Sequence, residues 1–533
     1  MIVLVSAALW APRLQGPLDL RYDAGAYYTL GTSLADSRGY RLLNEPGAIE
    51  AVQYPPLLPM IVAAHQWALG SRDPARVGTA LRWTWAALFV LYGAAVFALA
   101  RQWLAPGWAL VATLLVLLNL QLLWLSDALY AELPFACASV LFLLVAERDD
   151  RRGLAALFGA VAYMLRATGL ALLAAWVVDA ILQRRVLEAA LRALLAAFPI
   201  VVWQAYVAEV QQGPDWVAPH YAYQRAPYQF YNVDYATNLA YRDAFVPERG
   251  FATGAEIARR IGANLLALPE ALGESISVRA EGPLAPVFRV VDPPTPDTWS
   301  LTVSRMGFTL VGLVAAAGLL LLVADGIRVP TLAWAGSLVL VALVPWPSQF
   351  GRYLMPLAPV TAIGLVLVLA HASRIASRAL QTATGAVTGM LIAAQVLVLA
   401  VVFTDRHEPV DATQPGAPQR LFFYRPPWHA HDAALAWLGR HASPDAVVAT
   451  TTPHRLWLAS GLRAVLPPFE PDPAAADRLL ASVPVEYLVI DELDFLDVAR
   501  RYGEPVVRAH PEHWRQVYGG PDGGPRIYRR VAR

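Results

Sequence analysis

Five ionisable residues interrupt the apolar segments of this chain and are candidates for chemistry. Asp23 lies in RYDAGAYY, Asp127 and Glu132 lie in SDALYAELPF, Arg166 lies in MLRATG, and Arg352 opens RYLMPLAP. A charge at membrane depth is costly, so such a residue is usually paired or functional. A guanidinium group suits bidentate phosphate binding. The same residue types can also have structural roles. Acids cap helices, and arginines contact lipid headgroups.

The composition is that of an integral membrane protein. Of the 533 residues, 57% are hydrophobic and only 16% are charged, and the mean hydropathy is +0.43. These values are too apolar for a soluble protein of this length. The net charge of +1 does not point to a nucleic-acid partner. The chain contains no lysine, so every fixed cation is an arginine, and the single Cys137 excludes an internal disulfide framework.

Apolar runs predict about eleven membrane-spanning helices and a further helix at 54–70 that lies along the membrane surface. The predicted spans are Ile2–Pro12, Thr79–Ala100, Trp108–Leu125, Leu133–Ala146, Leu154–Leu165, Gly169–Leu182, Ala189–Val210, Arg305–Val323, Thr331–Pro345, Leu354–Leu369 and Ala386–Phe403. The fold class is therefore mainly α, a polytopic bundle. The first ten residues are short for a span, and they lack the basic region of a cleavable signal.

Arginine distribution orients these spans. With 54–70 at the surface, the loops after Ala100, Ala146, Leu182, Val323 and Leu369 collect arginines and are predicted to be cytoplasmic. A first loop at 13–54, a large loop at 211–304 and the tail then lie outside. Arg72, Arg76 and Arg82 run against this assignment, because it places them outside as well.

The composition changes sharply after residue 404, so we expect two domains, at 1–404 and 405–533. The second is predicted to be a small external α/β domain, with helices near Asp432–His441 and Ala474–Ser482 and strands at Ala446–Thr451 and Glu486–Asp491. A helix at Ala255–Leu272 is expected within the large loop. Five histidines of the tail, taken with Glu408 and Asp432, match no metal-ligand motif: His407, His429, His431, His441 and His454.

The order of RYDAGAYY, QYPPLLP, SDALYAELPF, LRATGLALL and GRYLMPLAP, followed by an outer α/β tail, resembles the GT-C glycosyltransferases. Within them it is most similar to relatives of protein O-mannosyltransferases and of the lipid A aminoarabinose transferase. The lysine that precedes the Pro-Pro turn in the latter branch is Tyr54 here. Many relatives carry two adjacent acids after the first span, whereas this chain has Asp23 followed by Ala24.

The resemblance implies roles for individual residues. Asp23 would be the catalytic base, and Asp127 with its neighbour Glu132 would help to hold the acceptor or donor. Arg352 would bind the donor phosphate. The other residues expected to contact substrate are Arg21, Tyr27, Tyr54, Arg166 and Tyr353.

The implied reaction is inverting transfer of a sugar from a polyprenyl-phosphate donor to a lipid, glycan or protein acceptor. It would take place on the periplasmic or external face of a bacterial inner membrane. The resemblance implies no cofactor, although it leaves a divalent cation open. A flippase or transporter of a lipid-linked saccharide would instead place charges in broken helices near the midplane. Two further classes stay open. One is a polysaccharide polymerase or ligase, and the other is a binding or scaffold protein whose outer tail carries the function.

Overall fold

The computed structural model describes residues 1–278, 299–375, 377–405, 408–409, 419–420, 426–493, 495–519 and 523–531. These form two compact units that each combine segments distant in the chain. The first consists of Met1–Leu14, Arg82–Val202 and Gly254–His407, and the second of Gln15–Leu81, Trp203–Thr253 and Glu408–Arg533. His407 itself, and part of the loop at 211–304, lie outside the described residues.

The first unit is helical, and each predicted span coincides with a helix except Trp108–Leu125, which is divided between the helices Pro106–Leu117 and Leu120–Asp127. Its helices are Ile2–Trp10, the later part of Pro74–Ala100, Pro106–Leu117, Leu120–Asp127, Glu132–Ala146, Arg152–Leu165, Leu170–Leu182, most of Val186–Gln212, Gly254–Ser275, Trp299–Ala324, Val329–Ala342, Phe350–Leu354, Ala358–Ile375 and Arg378–Asp405. The predicted helix at Ala255–Leu272 is confirmed as Gly254–Ser275, and it belongs to this unit.

Helix length and hydropathy confirm a membrane protein. Among the described residues, five helices are long and apolar enough to cross a membrane, and a sixth span results if the bent pair Pro106–Leu117 and Leu120–Asp127 is counted as one. Further apolar helices of 10–17 residues include Glu132–Ala146 and Val329–Ala342. The total of eleven crossings stays a prediction, because these shorter helices are below the length of a full span.

Backbone-to-backbone packing joins two helices of the first unit. A Cβ atom added to Gly318 would lie 1.8 Å from the carbonyl oxygen of Gly364. The helices Trp299–Ala324 and Ala358–Ile375 therefore approach too closely at this point for any side chain. Small residues are the usual means of such contact in a membrane, where no hydrophobic force drives apolar helices together.

The second unit contains the predicted α/β tail. Its helices are Asp23–Ala35, Leu57–Leu69, Pro214–Val217, Tyr235–Ala240, Pro426–His441, Pro453–Ser460, Pro473–Ser482 and Glu504–Ala509. Its strands are β1 (Glu408–Pro409), β2 (Gln419–Arg420), β3 (Val447–Ala449), β4 (Arg463–Val465), β5 (Val485–Ile490), β6 (Trp514–Gly519) and β7 (Arg526–Arg530). The two predicted tail helices and both predicted strands are confirmed, with boundaries shifted by a few residues. The helix expected at 54–70 is present as Leu57–Leu69, and its position at the membrane surface stays a prediction.

The main sheet has the strand order β4-β3-β5-β7-β6. β3 pairs in parallel with β4 and β5, whereas β7 runs antiparallel to β5 and β6. Asn44, from the first loop, covers the free edge of β4: its carbonyl accepts from the Ala464 amide at 2.8 Å, and its side chain donates to the Ala464 carbonyl at 3.1 Å. Covering an edge strand prevents pairing with other chains.

Residues of both predicted outer loops pack in the core of this unit. Tyr221 and Tyr223 join Val465, Leu488 and other sheet residues in one buried cluster. Ala26 packs with Tyr231 and Leu466 in another. Residues 15–54 of the first loop therefore fall in the same unit as the tail, and the predicted division at residue 404 stays a prediction.

Candidate active site

Asp23 is the first residue of the helix Asp23–Ala35, and the residue before it is strained. Tyr22 has φ 56° and ψ −135°, a conformation rare for a residue other than glycine. Such strain costs on the order of 1–3 kcal/mol and tends to occur at functional sites. The Tyr22 ring packs edge-on against Trp428 and Phe495, with centroids 5.4 and 4.8 Å away. The tail therefore fixes the backbone that carries the half-buried Asp23.

A close helix contact restrains the first turn after Asp23. A Cβ atom on Gly25 would lie 3.0 Å from the Cβ of His454, which lies in the first turn of the helix Pro453–Ser460. His454 is 3% exposed, and burial lowers its pKa to about 3, so the imidazole is neutral. The first turn of the helix that begins at Asp23 thus packs tightly against a neutral histidine of its own unit.

Arg21 is paired within the second unit. Its guanidinium donates to Asp19 Oδ2 at 2.6 Å, and it lies 5.2 Å from the centroid of the Trp428 ring. The Arg21 side chain is only 1% exposed. These contacts give Arg21 a clear structural role in positioning the segment before Asp23, whereas its contact with substrate stays a prediction.

Tyr27 and Tyr54, both expected to contact substrate, lie against each other. Their ring centroids are 4.7 Å apart, and the Tyr54 carbonyl accepts a 2.9 Å hydrogen bond from Tyr40. Tyr27 is 3% exposed, so its ring face is already covered. Tyr54 is half-buried and is the better placed of the two to contact a ligand.

Glu132, Arg166 and Arg352 converge in the first unit. Both guanidinium groups donate to the same Glu132 oxygen, Oε1. Glu132 is the first residue of its helix and its side chain is 1% exposed, while the two arginine side chains are 16% and 15% exposed. Arg166 is an extended residue that ends the helix Arg152–Leu165.

Aromatic rings complete this cluster. The Arg352 guanidinium lies 4.5 Å from the centroid of the Tyr130 ring, and the Arg166 guanidinium lies 5.6 Å from that of Tyr353. Glu132 Oε2 is buried with no hydrogen-bond partner among the described residues. The cluster thus places two guanidinium groups on one buried carboxylate, and guanidinium groups suit the binding of phosphate.

Asp127 forms a second cluster of the same kind. Its Oδ1 accepts from Arg82 at 2.6 Å and from Arg13 Nε at 3.4 Å. Arg13 also donates to Ser126 Oγ at 2.9 Å. The sequence patterns did not single out Arg13 and Arg82 as site residues. The sequence could have marked Arg82 as a paired residue, because a charge so near an apolar span needs a partner.

The chain resembles solved membrane transferases over almost its whole length. It superposes on the oligosaccharyltransferase of Archaeoglobus fulgidus in complex with zinc and sulfate with a TM-score of 0.55 and 13% identity, over 99% of this chain and 73% of that chain. For AglB of the same organism with an inhibitory peptide and a dolichol-phosphate, the TM-score is 0.50 at 14% identity, over the same shares. ArnT from Cupriavidus metallidurans gives 0.43 at 14% identity, over 100% of this chain and 97% of that chain.

No protein-family model and no curated protein sequence matches the chain. The similarity is therefore one of fold. This chain has the GT-C fold of membrane glycosyltransferases, as its motifs predicted.

Proposed function

We propose that the chain is an inverting glycosyltransferase that moves a sugar from a polyprenyl-phosphate donor to an acceptor. The observation that carries the proposal is the pairing of Arg166 and Arg352 with one buried carboxylate, Glu132. Each guanidinium group is partly buried and presents several N–H donors in one plane. Two such groups side by side suit the phosphate group of a lipid-linked donor.

Arg352 and Arg166 hold the donor phosphate in this mechanism. The bond between the sugar's anomeric carbon and the phosphate oxygen breaks, and its electron pair stays on the oxygen. The leaving group is then a polyprenyl phosphate monoester whose added negative charge the two guanidinium groups stabilise. Glu132 positions both groups through its Oε1 atom.

Asp23 acts on the acceptor. Its carboxylate takes the proton of an acceptor hydroxyl, whose oxygen forms the new bond to the anomeric carbon from the face opposite the phosphate. The configuration at that carbon is therefore inverted. The strained Tyr22 and the tight Gly25 contact hold the start of the helix so that this carboxylate keeps one position.

The solved structures of similar fold support a lipid-phosphate donor. AglB was determined with a dolichol-phosphate and an inhibitory peptide, and the related oligosaccharyltransferase with zinc and sulfate. In this mechanism each step is carried by side chains of the chain itself.

We assign the reaction to the outer face of a bacterial inner membrane. The support is the arginine distribution, which leaves Asp23, Asp127, Glu132, Arg166 and Arg352 on the arginine-poor side. Asp127 contributes through its pairing with Arg13 and Arg82, which holds the turn that leads to Glu132.

Transfer in detergent tests the proposal. Lipid extracts from a deletion strain, which should accumulate the donor, are incubated with purified chain and a membrane fraction as acceptor. We expect release of polyprenyl phosphate and labelling of the acceptor, and a loss of turnover of about 100-fold or more in Asp23→Asn. Asp36→Asn, at the other end of the same helix, is the matched control and should keep wild-type turnover. A flippase would show no transfer in micelles, and full activity of Asp23→Asn would refute the role of this base.

A further inference from the structure

One turn of the second unit gathers two histidines and a glutamate outside the candidate active site. His510, Glu512 and His513 lie between the helix Glu504–Ala509 and strand β6, in the sequence HPEH. Each offers one ligand atom, and the three atoms all lie within 4.8 Å of one another. The His513 amide donates to the His510 carbonyl at 3.0 Å, which closes the turn and holds the two rings near each other.

The distances approach those of a tetrahedral metal site. His510 Nδ1 lies 3.3 Å and His513 Nε2 lies 3.8 Å from Glu512 Oε1. Two ligands about 2.0–2.1 Å from a zinc ion are about 3.4 Å apart at the tetrahedral angle. Small side-chain rotations would therefore bring all three atoms onto one ion, with the fourth position left to water.

A buried acid orients one of the histidines. His513 Nδ1 lies 3.0 Å from Asp477 Oδ2, so the opposite ring nitrogen, Nε2, is directed towards Glu512. Asp477 is itself held by Trp514 Nε1 at 2.9 Å and by Arg530 at 2.7 Å. Metal-ligating histidines commonly donate their second ring nitrogen to a carboxylate, because this hydrogen bond fixes the tautomer and the orientation of the ring.

We infer that His510, Glu512 and His513 bind a divalent transition-metal ion of the zinc class. A site with two imidazoles and one carboxylate binds ions of this class in preference to magnesium or calcium, which favour ligands that are all oxygen. The ion would join the end of a helix to the edge strand β6, so its role is structural. This inference is independent of the proposed sugar transfer.

Zinc binding to the full chain tests the inference. The chain is purified in detergent without a histidine tag, treated with a chelator, dialysed against zinc and analysed for metal content. We expect wild type to hold one zinc ion more than Glu512→Gln and His513→Gln, and zinc to raise its thermal midpoint by several degrees. Glu512 is well exposed, so its replacement leaves the fold intact.

His441→Gln is the matched control. His441 is an exposed histidine of the same unit that stacks on Trp437, and its replacement should leave zinc content and the thermal shift unchanged. Equal zinc content in wild type, Glu512→Gln and His513→Gln would overturn the inference, as would an equal loss in His441→Gln. Cobalt in place of zinc adds a spectroscopic check, since tetrahedral cobalt absorbs visible light and both site variants should lack that absorption.

Discussion

The guanidinium group of Arg82 donates a 2.6 Å hydrogen bond to Oδ1 of Asp127 within the helical unit. Their side chains are 4% and 8% exposed, so both charges are largely removed from solvent. Arg82 also donates to the Arg13 carbonyl at 2.8 Å, which ties the end of the first helix to the same point. The turn from Asp127 to Glu132 is thus bounded at each end by an acid that binds two arginines.

Replacing Arg82 by methionine should destabilise the protein by about 1–3 kcal/mol, because Asp127 and the Arg13 carbonyl each lose a buried hydrogen bond from a charged donor, while Arg13 stays paired with Asp127. Thermal unfolding in detergent measures this as a fall in the midpoint. Arg76→Met, at an exposed position of the same helix, is the control and should unfold near wild type. Equal midpoints for the two variants would contradict a structural role for the pair.

Arg352→Lys should raise the KM for the lipid-linked donor about tenfold or more and lower kcat less, because a lysine provides one point charge without a planar fork. Arg352 both donates to Glu132 and lies over the Tyr130 ring. Steady-state kinetics against donor concentration separate the two constants. Arg374→Lys, at an exposed residue later in the same part of the chain, should leave both unchanged. An unaltered KM in Arg352→Lys would remove Arg352 from the donor site.

Glu45 predicts a pH dependence of stability. It is 3% exposed and accepts hydrogen bonds from Tyr221 and from Gln224, and burial raises its pKa from 4.5 to about 7. Between these values the folded state holds a proton that the unfolded chain has released. Stability from this group is complete below about pH 4.5 and is lost as pH rises through about 7.

Thermal midpoints across this range test the dependence. Glu45→Gln should flatten the profile, because the amide keeps hydrogen-bonding capacity and cannot ionise. Glu50→Gln replaces a more exposed glutamate of the same loop and should keep the wild-type slope. A wild-type midpoint that stays constant or rises from pH 4.5 to 7 would refute the assignment.

Gly25→Ala should lower the rate of sugar transfer clearly while the thermal midpoint falls only slightly. The added methyl group would lie 3.0 Å from the His454 Cβ and 3.2 Å from the Leu20 carbonyl oxygen, so the helix that begins at Asp23 must shift by a few tenths of an ångström. A displaced base is a poor catalyst even in a folded protein. Transfer rate and thermal midpoint are measured together.

Gly262→Ala is the control for this variant. Gly262 lies within the helix Gly254–Ser275, and an added Cβ atom there meets nothing within 4 Å. Alanine should keep transfer and raise stability by about 0.5–1 kcal/mol through its better helix propensity. Full transfer by Gly25→Ala would show that the contact with His454 does not position Asp23.

The amino-acid sequence by itself determined the local elements of this protein. Run length and hydropathy are properties of adjacent residues, so they located the helices of the first unit and the main helices and strands of the tail. They also placed Asp23 shortly after the first apolar segment, where a helix begins. Five short motifs and their order were enough to predict the GT-C fold.

Only the tertiary structure decided which charges meet. Glu132 reaches Arg166 across 34 residues and Arg352 across 220, and Asp127 reaches Arg13 across 114. No periodicity or spacing encodes such pairs, because they depend on how separate helices pack. The same holds for the contact of Tyr22 with Trp428 and for the antiparallel pairing of β6 with β7. Residues far apart in the chain meet only when burial of apolar surface brings their elements together.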